Sequence, residues 1–338
     1  MEIGFFLPTR GPLATPEGVR ALARRGEELG FDIIGVPDHI VIPTRIAPHY
    51  PYSDTGEFPG GGAGDCMDQL ALLGFLAGQT STVRLLTSIM VVPHRPAVLA
   101  AKMLATVDVL SGGRVIVGCG VGWMREEFEA LGAPPFDERG GVVDEYIRAF
   151  RELWTSPAPA FDGKYVRFSD ISFLPQPVQK PHPPIWIGGE SAPAMRRAAR
   201  LGDGWYPIGS NPRYPLDSLE RYRDALARLR QYAEAGDRDP AEITLAYCAL
   251  RWSGSGYGAD ARPGTEAAAT GAVAGDGTVD DGGRRLLTGA PEQVAGDIDA
   301  LGDLGVRHLV LNFQSAEPAQ TLERMEQFAR DVRPLVAG

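Results

Sequence analysis

The sequence predicts an α/β fold, a (β/α)8 TIM barrel with insertions after strands two, four and seven. Three observations carry that reading. Short apolar runs alternate with segments of helical period through the whole chain, the signature of βαβ units and a parallel sheet. No shift in composition demands a second domain, so residues 1–338 read as a single domain with insertion loops at 37–65, 155–183 and 253–283. An open doubly wound sheet is the rival. It calls for a Gly-rich dinucleotide turn after the first strand, and Pro8-Thr9-Arg10-Gly11-Pro12 stands there instead.

The elements follow in order. Glu2–Leu7 is the first strand. Thr15 is a good N-cap with Pro16 at the first helical position, the helix runs to about Leu29, and Gly30 suits the position just past its end. Phe31–Val36 is the second strand, Cys66–Gly78 a helix, Val83–Val92 the third strand and Ala97–Leu110 a helix. Gly113–Gly118 is the fourth strand, and Val142–Trp154 a strongly patterned helix. Phe161–Pro177 interrupts the alternation and reads as a hairpin excursion. The pattern resumes with strand Pro184–Gly188, helix Ala192–Leu201, strand Gly204–Ile208, helix Leu216–Ala233 and strand Ile243–Leu250. Helix Pro291–Leu304, strand Arg307–Phe313 and a final helix over Ala319–Val336 close the count at eight strands.

Composition narrows the function classes. A net charge of −10 disfavours nucleic acid and anionic membranes, and no Lys/Arg run offsets it. No apolar run is long enough for a membrane span and no signal peptide is recognised, so a cytoplasmic location is expected. Cys66, Cys119 and Cys248 are odd in number and lack a C-x-x-C pair. They read as reduced, mostly buried thiols rather than a disulfide framework or a zinc site. No metal is expected.

Barrel enzymes work on the loops that follow the strands. The loops Pro37–Asp65 and Ser253–Gly283 are long enough to be functional, and the second is a candidate lid. Pro37-Asp38-His39 ends strand two. His39 can give or take a proton beside a cofactor, with Asp38 orienting it; a satisfied histidine in a surface turn is the plainer alternative. Arg95 can pair with a ligand anion or cap a carbonyl. Gly118, Gly120 and Gly122 permit close backbone approach to a ligand or simply tight barrel packing, and Trp123 is either a flat ligand wall or a core aromatic. Gly188-Gly189-Glu190-Ser191 is a strand, two glycines and an N-cap, the form of a phosphate site at a helix N-terminus. Glu190 is dissonant there unless its carboxylate points away. No nucleophile elbow, Walker motif or paired metal ligands are present, which is what a cofactor-dependent redox enzyme needs.

Pro37-Asp38-His39, LATVDVLSGGRVIVGCGVGW over 104–123, EEFEALG over 126–132 and PPIWIGGESAPAMRRAARLGDGWYP over 183–207 together resemble the luciferase-like monooxygenase superfamily. Within it they resemble the deazaflavin (coenzyme F420)-dependent oxidoreductases. The resemblance covers nearly the whole chain and implies a barrel that assembles as a homodimer. It implies that Asp38 and His39 contact the cofactor ring, that Ser88–Ile89 is a non-prolyl cis peptide backing it, and that Gly120, Val121 and Gly122 flank it. It further implies that Gly188, Gly189 and Ser191 hold the cofactor phosphate. Relatives that oxidise glucose 6-phosphate carry Glu where Trp123 stands, so this chain departs from them toward a more apolar substrate.

The expected activity is hydride transfer between the deazaflavin and an organic small molecule, with His39 and Asp38 as the catalytic pair and Trp123 in the substrate pocket. A reduced-FMN-dependent monooxygenase of the same fold is the alternative within enzymes, and a non-catalytic flavin-binding protein the alternative outside them.

Overall fold

The computed structural model of the protein describes all residues except 48, 54, 59–64, 251–282, 316 and 338. Eight strands follow one another around a closed ring: β1 (Glu2–Phe6), β2 (Ile33–Val36), β3 (Arg84–Thr87), β4 (Val115–Gly120), β5 (Ile185–Gly188), β6 (Gly204–Tyr206), β7 (Thr244–Ala249) and β8 (Val306–Leu311). Each pairs in parallel with the next, and β1 pairs with β8, Glu2 opposite His308, so no edge is left open. Nine α-helices surround the ring among the described residues: α1 (Pro16–Glu28), α2 (Gln69–Ala77), α3 (Ala97–Ser111), α4 (Arg125–Leu131), α5 (Arg139–Thr155), α6 (Ala192–Leu201), α7 (Leu219–Glu234), α8 (Pro291–Asp303) and α9 (Pro318–Gln327). None is long and apolar enough to cross a membrane.

Local chemistry explains the boundaries. Thr15 accepts a bond from the Gly18 N–H and Pro16 opens α1, whose Val19, Leu22, Ala23 and Gly26 face the core at helical spacing. Gly30 then takes a φ of 79°, as a residue past a helix end must when it turns left-handed. The differences from the sequence reading have equally local causes. The expected third strand, 83–92, is broken. After β3 the chain passes through a cis Ser88–Ile89 peptide and resumes as the short strand Met90–Val91 against Cys119 and Gly120. The fourth strand lies two residues later than expected, because Gly112 and Gly113, at φ of 67° and 87°, form the turn rather than the strand. Helix α4 is an addition to the elements expected; its seven residues are too few for a periodic signal. The final helix changes pitch, with a π turn at Phe328–Val332 and a 3-10 turn at Arg333–Leu335. The excursion is a two-residue-per-strand hairpin, Phe161–Asp162 against Arg167–Phe168. Loop 253–283 lies outside the described residues but for Gly283.

Two apolar layers result from the period of two along each strand. Side chains pointing out pack against the helices and form the main core. Those pointing in fill the barrel: Phe6, Ile33, Leu86, Ile116, Trp186, Tyr206, Ala246 and Val310, one from each strand, together with Cys248. Large and small residues must alternate inside so narrow a ring. Gly204 is the clearest case, since a Cβ there would lie 2.6 Å from Cδ1 of Trp186 and 3.0 Å from the Thr244 carbonyl oxygen. Gly204→Ala is therefore expected to destabilise the fold by about 1–3 kcal/mol through overpacking. Urea denaturation reads this, and an unchanged midpoint would show that the interior yields more than its packing suggests.

Candidate active site

A cavity of about 860 Å³ opens above the inner core, lined by the C-terminal ends of the strands and the loops that follow them. Its walls include Asp38, His39, Ser88, Ile89, Gly120, Val121, Gly122, Trp123, Gly188, Gly189 and Ser191. The structure thus brings these residues to one place, whereas Arg95 and Gly118 do not line the cavity. Inner-core residues Phe6, Tyr206 and Cys248 also reach the cavity.

Asp38 does not orient His39. Its carboxylate is buried and accepts from both ends of the Arg95 guanidinium, at 2.9 and 3.0 Å, and from the Val91 N–H at 2.8 Å. Arg95 also donates to Asp68, the N-cap of α2, at 2.6 Å. Burial alone would lower the Arg95 pKa, but the two aspartates raise it above its ordinary value. Arg95 is therefore fully engaged within the protein and is not a ligand clamp.

Glu127 holds His39. Its Oε2 lies 2.8 Å from Nδ1 of His39, and its Oε1 accepts from the N–H groups of Ile40 at 2.8 Å and Val41 at 3.3 Å. Burial pushes the Glu127 pKa up, yet His39, His94 and the backbone N–H outweigh it and the net shift is downward. An ionised carboxylate only accepts, so Nδ1 of His39 carries the hydrogen and Nε2 is left toward the cavity. Sequence reasoning missed Glu127, one of three glutamates in EEFEALG. A signal existed: Glu127 stands three residues after buried Met124 and beside buried Phe128, which puts a carboxylate on the apolar side of α4. His94 is buried behind Glu127, edge-on to Phe128 at 4.8 Å, with its Nδ1 3.8 Å from Glu127 Oε1 and neither ring nitrogen hydrogen-bonded among the described residues.

The glycines form a notch. The expected cis Ser88–Ile89 peptide turns Ile89 toward the cavity, and a Cβ at either Gly120 or Gly188 would lie 2.4 Å from its Cδ1. Ile89 thus sits between two strands that only glycine allows so close. Ser88 Oγ pairs with the Tyr206 hydroxyl at 2.9 Å. Beyond Gly188, Gly189 takes a φ of 104° and Ser191 caps α6, whose first turn lines the cavity. Glu190 points away from that helix end: its oxygens accept from the Ile208 N–H at 2.6 Å and the Asn211 amide at 2.7 Å. Burial pushes it up to about 7.

A flat apolar notch beside a positive helix end fits a planar ring with a phosphate-bearing tail. Arg139, Arg197 and Arg213, missed in the sequence, add positive charge to the same walls. Arg197 is tied to Asp144 and the Gly140 carbonyl, whereas no carboxylate among the described residues pairs with Arg213. Among the described residues no group of His, Cys, Asp and Glu can hold a metal ion. The three cysteines are free thiols, and burial pushes those of Cys66 and Cys119 up to about 11 and about 12.

Fold and site together define a barrel of the type that carries redox chemistry on a bound ring cofactor. Residues 1–250 match the model of the luciferase-like monooxygenase family, and the chain belongs to that family. It is 31% identical over 323 residues to the FMNH2-dependent dimethylsulfone monooxygenase of Pseudomonas putida, covering 87% of this chain and 85% of that one. It superposes on the monooxygenase RslO1 of Streptomyces bottropensis with a TM-score of 0.73 at 26% identity, over 99% of each chain. An F420-dependent secondary alcohol dehydrogenase shares the fold, with a TM-score of 0.73 at 18% identity over 100% of this chain and 99% of that one.

The buried charges can be tested one at a time. Arg95→Met leaves Asp38 without its partner and is expected to cost about 3–5 kcal/mol, which adding Asp38→Asn partly restores in urea denaturation. Burial lowers the His94 pKa from its ordinary 6.5, against the opposing pull of Glu127 and Asp38. The unfolded chain therefore takes up that proton first. The stability held by the neutral ring is complete above pH 6.5 and is lost as pH falls through the folded value. His94→Leu should make the decline between about pH 7 and pH 5 shallower in equilibrium unfolding; an equal slope would assign it to other groups.

Proposed function

We propose that the chain is an oxidoreductase that moves a hydride between a deazaflavin, coenzyme F420, and an organic small molecule, with His39 handling the accompanying proton. The observation that carries this reading is the Glu127–His39 pair at the wall of the cavity that also holds the Ile89 notch. A bound deazaflavin would supply the hydride chemistry. Every other requirement falls to the protein. Ile89 and the glycines around it would back the ring, and Gly188, Gly189 and Ser191 with the first turn of α6 would receive the phosphate. Glu127 fixes the imidazole tautomer, so Nε2 would be the atom that delivers or accepts a proton at the cavity. Asp38 contributes by anchoring the loop that carries His39.

A second reading, a reduced-FMN monooxygenase, is supported by the Pseudomonas putida relative. Titrating the purified protein with oxidised deazaflavin and with FMN separates the two: preference for the deazaflavin is expected, and preference for FMN with oxygen uptake would replace hydride transfer by oxygen activation. Binding without turnover of any substrate would favour the non-catalytic flavin-binding protein. On the hydride reading, His39→Ala should lower kcat by about 10²–10⁴-fold with little change in cofactor affinity. Glu127→Gln should lower it less and shift its pH profile. Full turnover in His39→Ala would remove the proton role. The homodimer implied by the resemblance is checked by light scattering, with a mass near twice 36.3 kDa expected.

A further inference from the structure

One part of the cavity wall is aromatic. Tyr50, Tyr52 and Trp123 line it. The Tyr50 ring meets Trp123 at 5.1 Å between centroids and Tyr52 at 5.6 Å, while Phe58 packs against Tyr50 at 5.4 Å, Trp123 at 5.5 Å and His39 at 5.1 Å. The loop after β2 and the turn after β4 supply these rings, so two separate stretches of chain converge to make one surface. Rings that merely filled a core would be closed off, yet Tyr50, Tyr52 and Trp123 keep part of their surface toward the cavity.

Two of the carboxylates near this wall are matched. Glu127 is held by His39 and Asp38 by Arg95, and the Arg10 guanidinium lies over the Phe58 ring at 5.0 Å rather than among the cavity-lining residues. His49 borders the same wall. The Glu190 carboxylate acts on Tyr52, so an anion placed at this part of the wall would lose its water beside a like charge. Two polar atoms do remain. Among the described residues no protein group hydrogen-bonds the Tyr50 or Tyr52 hydroxyl, and burial raises both pKa values, which keeps them as O–H donors.

We propose that this wall is a substrate-specificity site for an uncharged, flat ring that carries a carbonyl oxygen. The ring covers the Tyr50–Trp123 face and the oxygen accepts from a tyrosine hydroxyl, which leaves the conjugated carbons electron-poor beside His39. The inference rests on reading the cavity as the site of small-molecule redox chemistry. Aromatic packing of this kind is strong in area and tolerant in identity, whereas the hydroxyl pair selects for an acceptor.

Calorimetric titration of the protein, free of cofactor, with coumarin, coumarin-3-carboxylate, naphthalene and dimethyl sulfone tests this. Coumarin should bind saturably and at least tenfold more tightly than its carboxylate or dimethyl sulfone. Trp123→Ala should weaken coumarin at least fivefold. Tyr50→Phe/Tyr52→Phe, which removes two oxygens and keeps the rings, should weaken coumarin several-fold and leave naphthalene unchanged. Tighter binding of the carboxylate or of dimethyl sulfone, or equal affinities in the double variant, would overturn the proposal. Deazaflavin binding measured on the same preparations keeps this result separate from the redox reading: cofactor binding with no coumarin binding rejects the substrate class alone.

Discussion

The mouth of the barrel is organised around one buried cation. Arg95, at the entry to α3, grips Asp38 after β2 and Asp68 at the start of α2, while the Val91 N–H after the cis peptide completes the Asp38 shell. Three chain segments meet at that guanidinium, and the strand of Val91 joins them through Asp38. A paired carboxylate at this depth has no stable alternative position, because any displacement strands a charge away from water. The residue next to Asp38 is His39, so the knot also fixes where the imidazole begins.

Glu127 then decides what the imidazole can do. It comes from α4, on the far side of the Gly120–Gly122 turn, and bonds His39 together with two successive N–H groups of the same loop. The carboxylate is therefore structural and electronic at once: it pins the loop and sets the tautomer. The aromatic group of Tyr50, Phe58 and Trp123 packs on that pinned loop, and His39 touches Phe58. The imidazole and the aromatic wall share a single pinned support, which is what preorganisation of a site demands.

Glu190 shows the same economy at the other group of loops. Beside two glycines and an N-cap, its carboxylate conflicts on paper with a phosphate. In the folded chain it turns back to hold Ile208 and Asn211, and so ties the segment after β6 to the start of α6. The helix end is left positive, and the loop bearing Arg213 is positioned along the cavity.

The barrel was legible in the sequence because strand and helix periods are local, and so are caps such as Thr15-Pro16 and Ser191. Closure of eight βα units also sends every post-strand loop to one face, which is why the pattern of elements was enough to gather Asp38, His39, Gly120, Gly188 and Ser191, while Ile89 came from the family resemblance. Partnership was not legible. Adjacency along the chain suggested that Asp38 serves His39, but neighbouring side chains in an extended segment point apart. Asp38 turns to Arg95, 57 residues away, and His39 to Glu127, 88 residues away. Nor could the sequence rank three glutamates in EEFEALG, or join Tyr50 to Trp123. Local propensity and period were determined by the sequence itself; which charge neutralises which, and which rings share a wall, was decided only when the closed barrel brought distant loops within hydrogen-bonding reach.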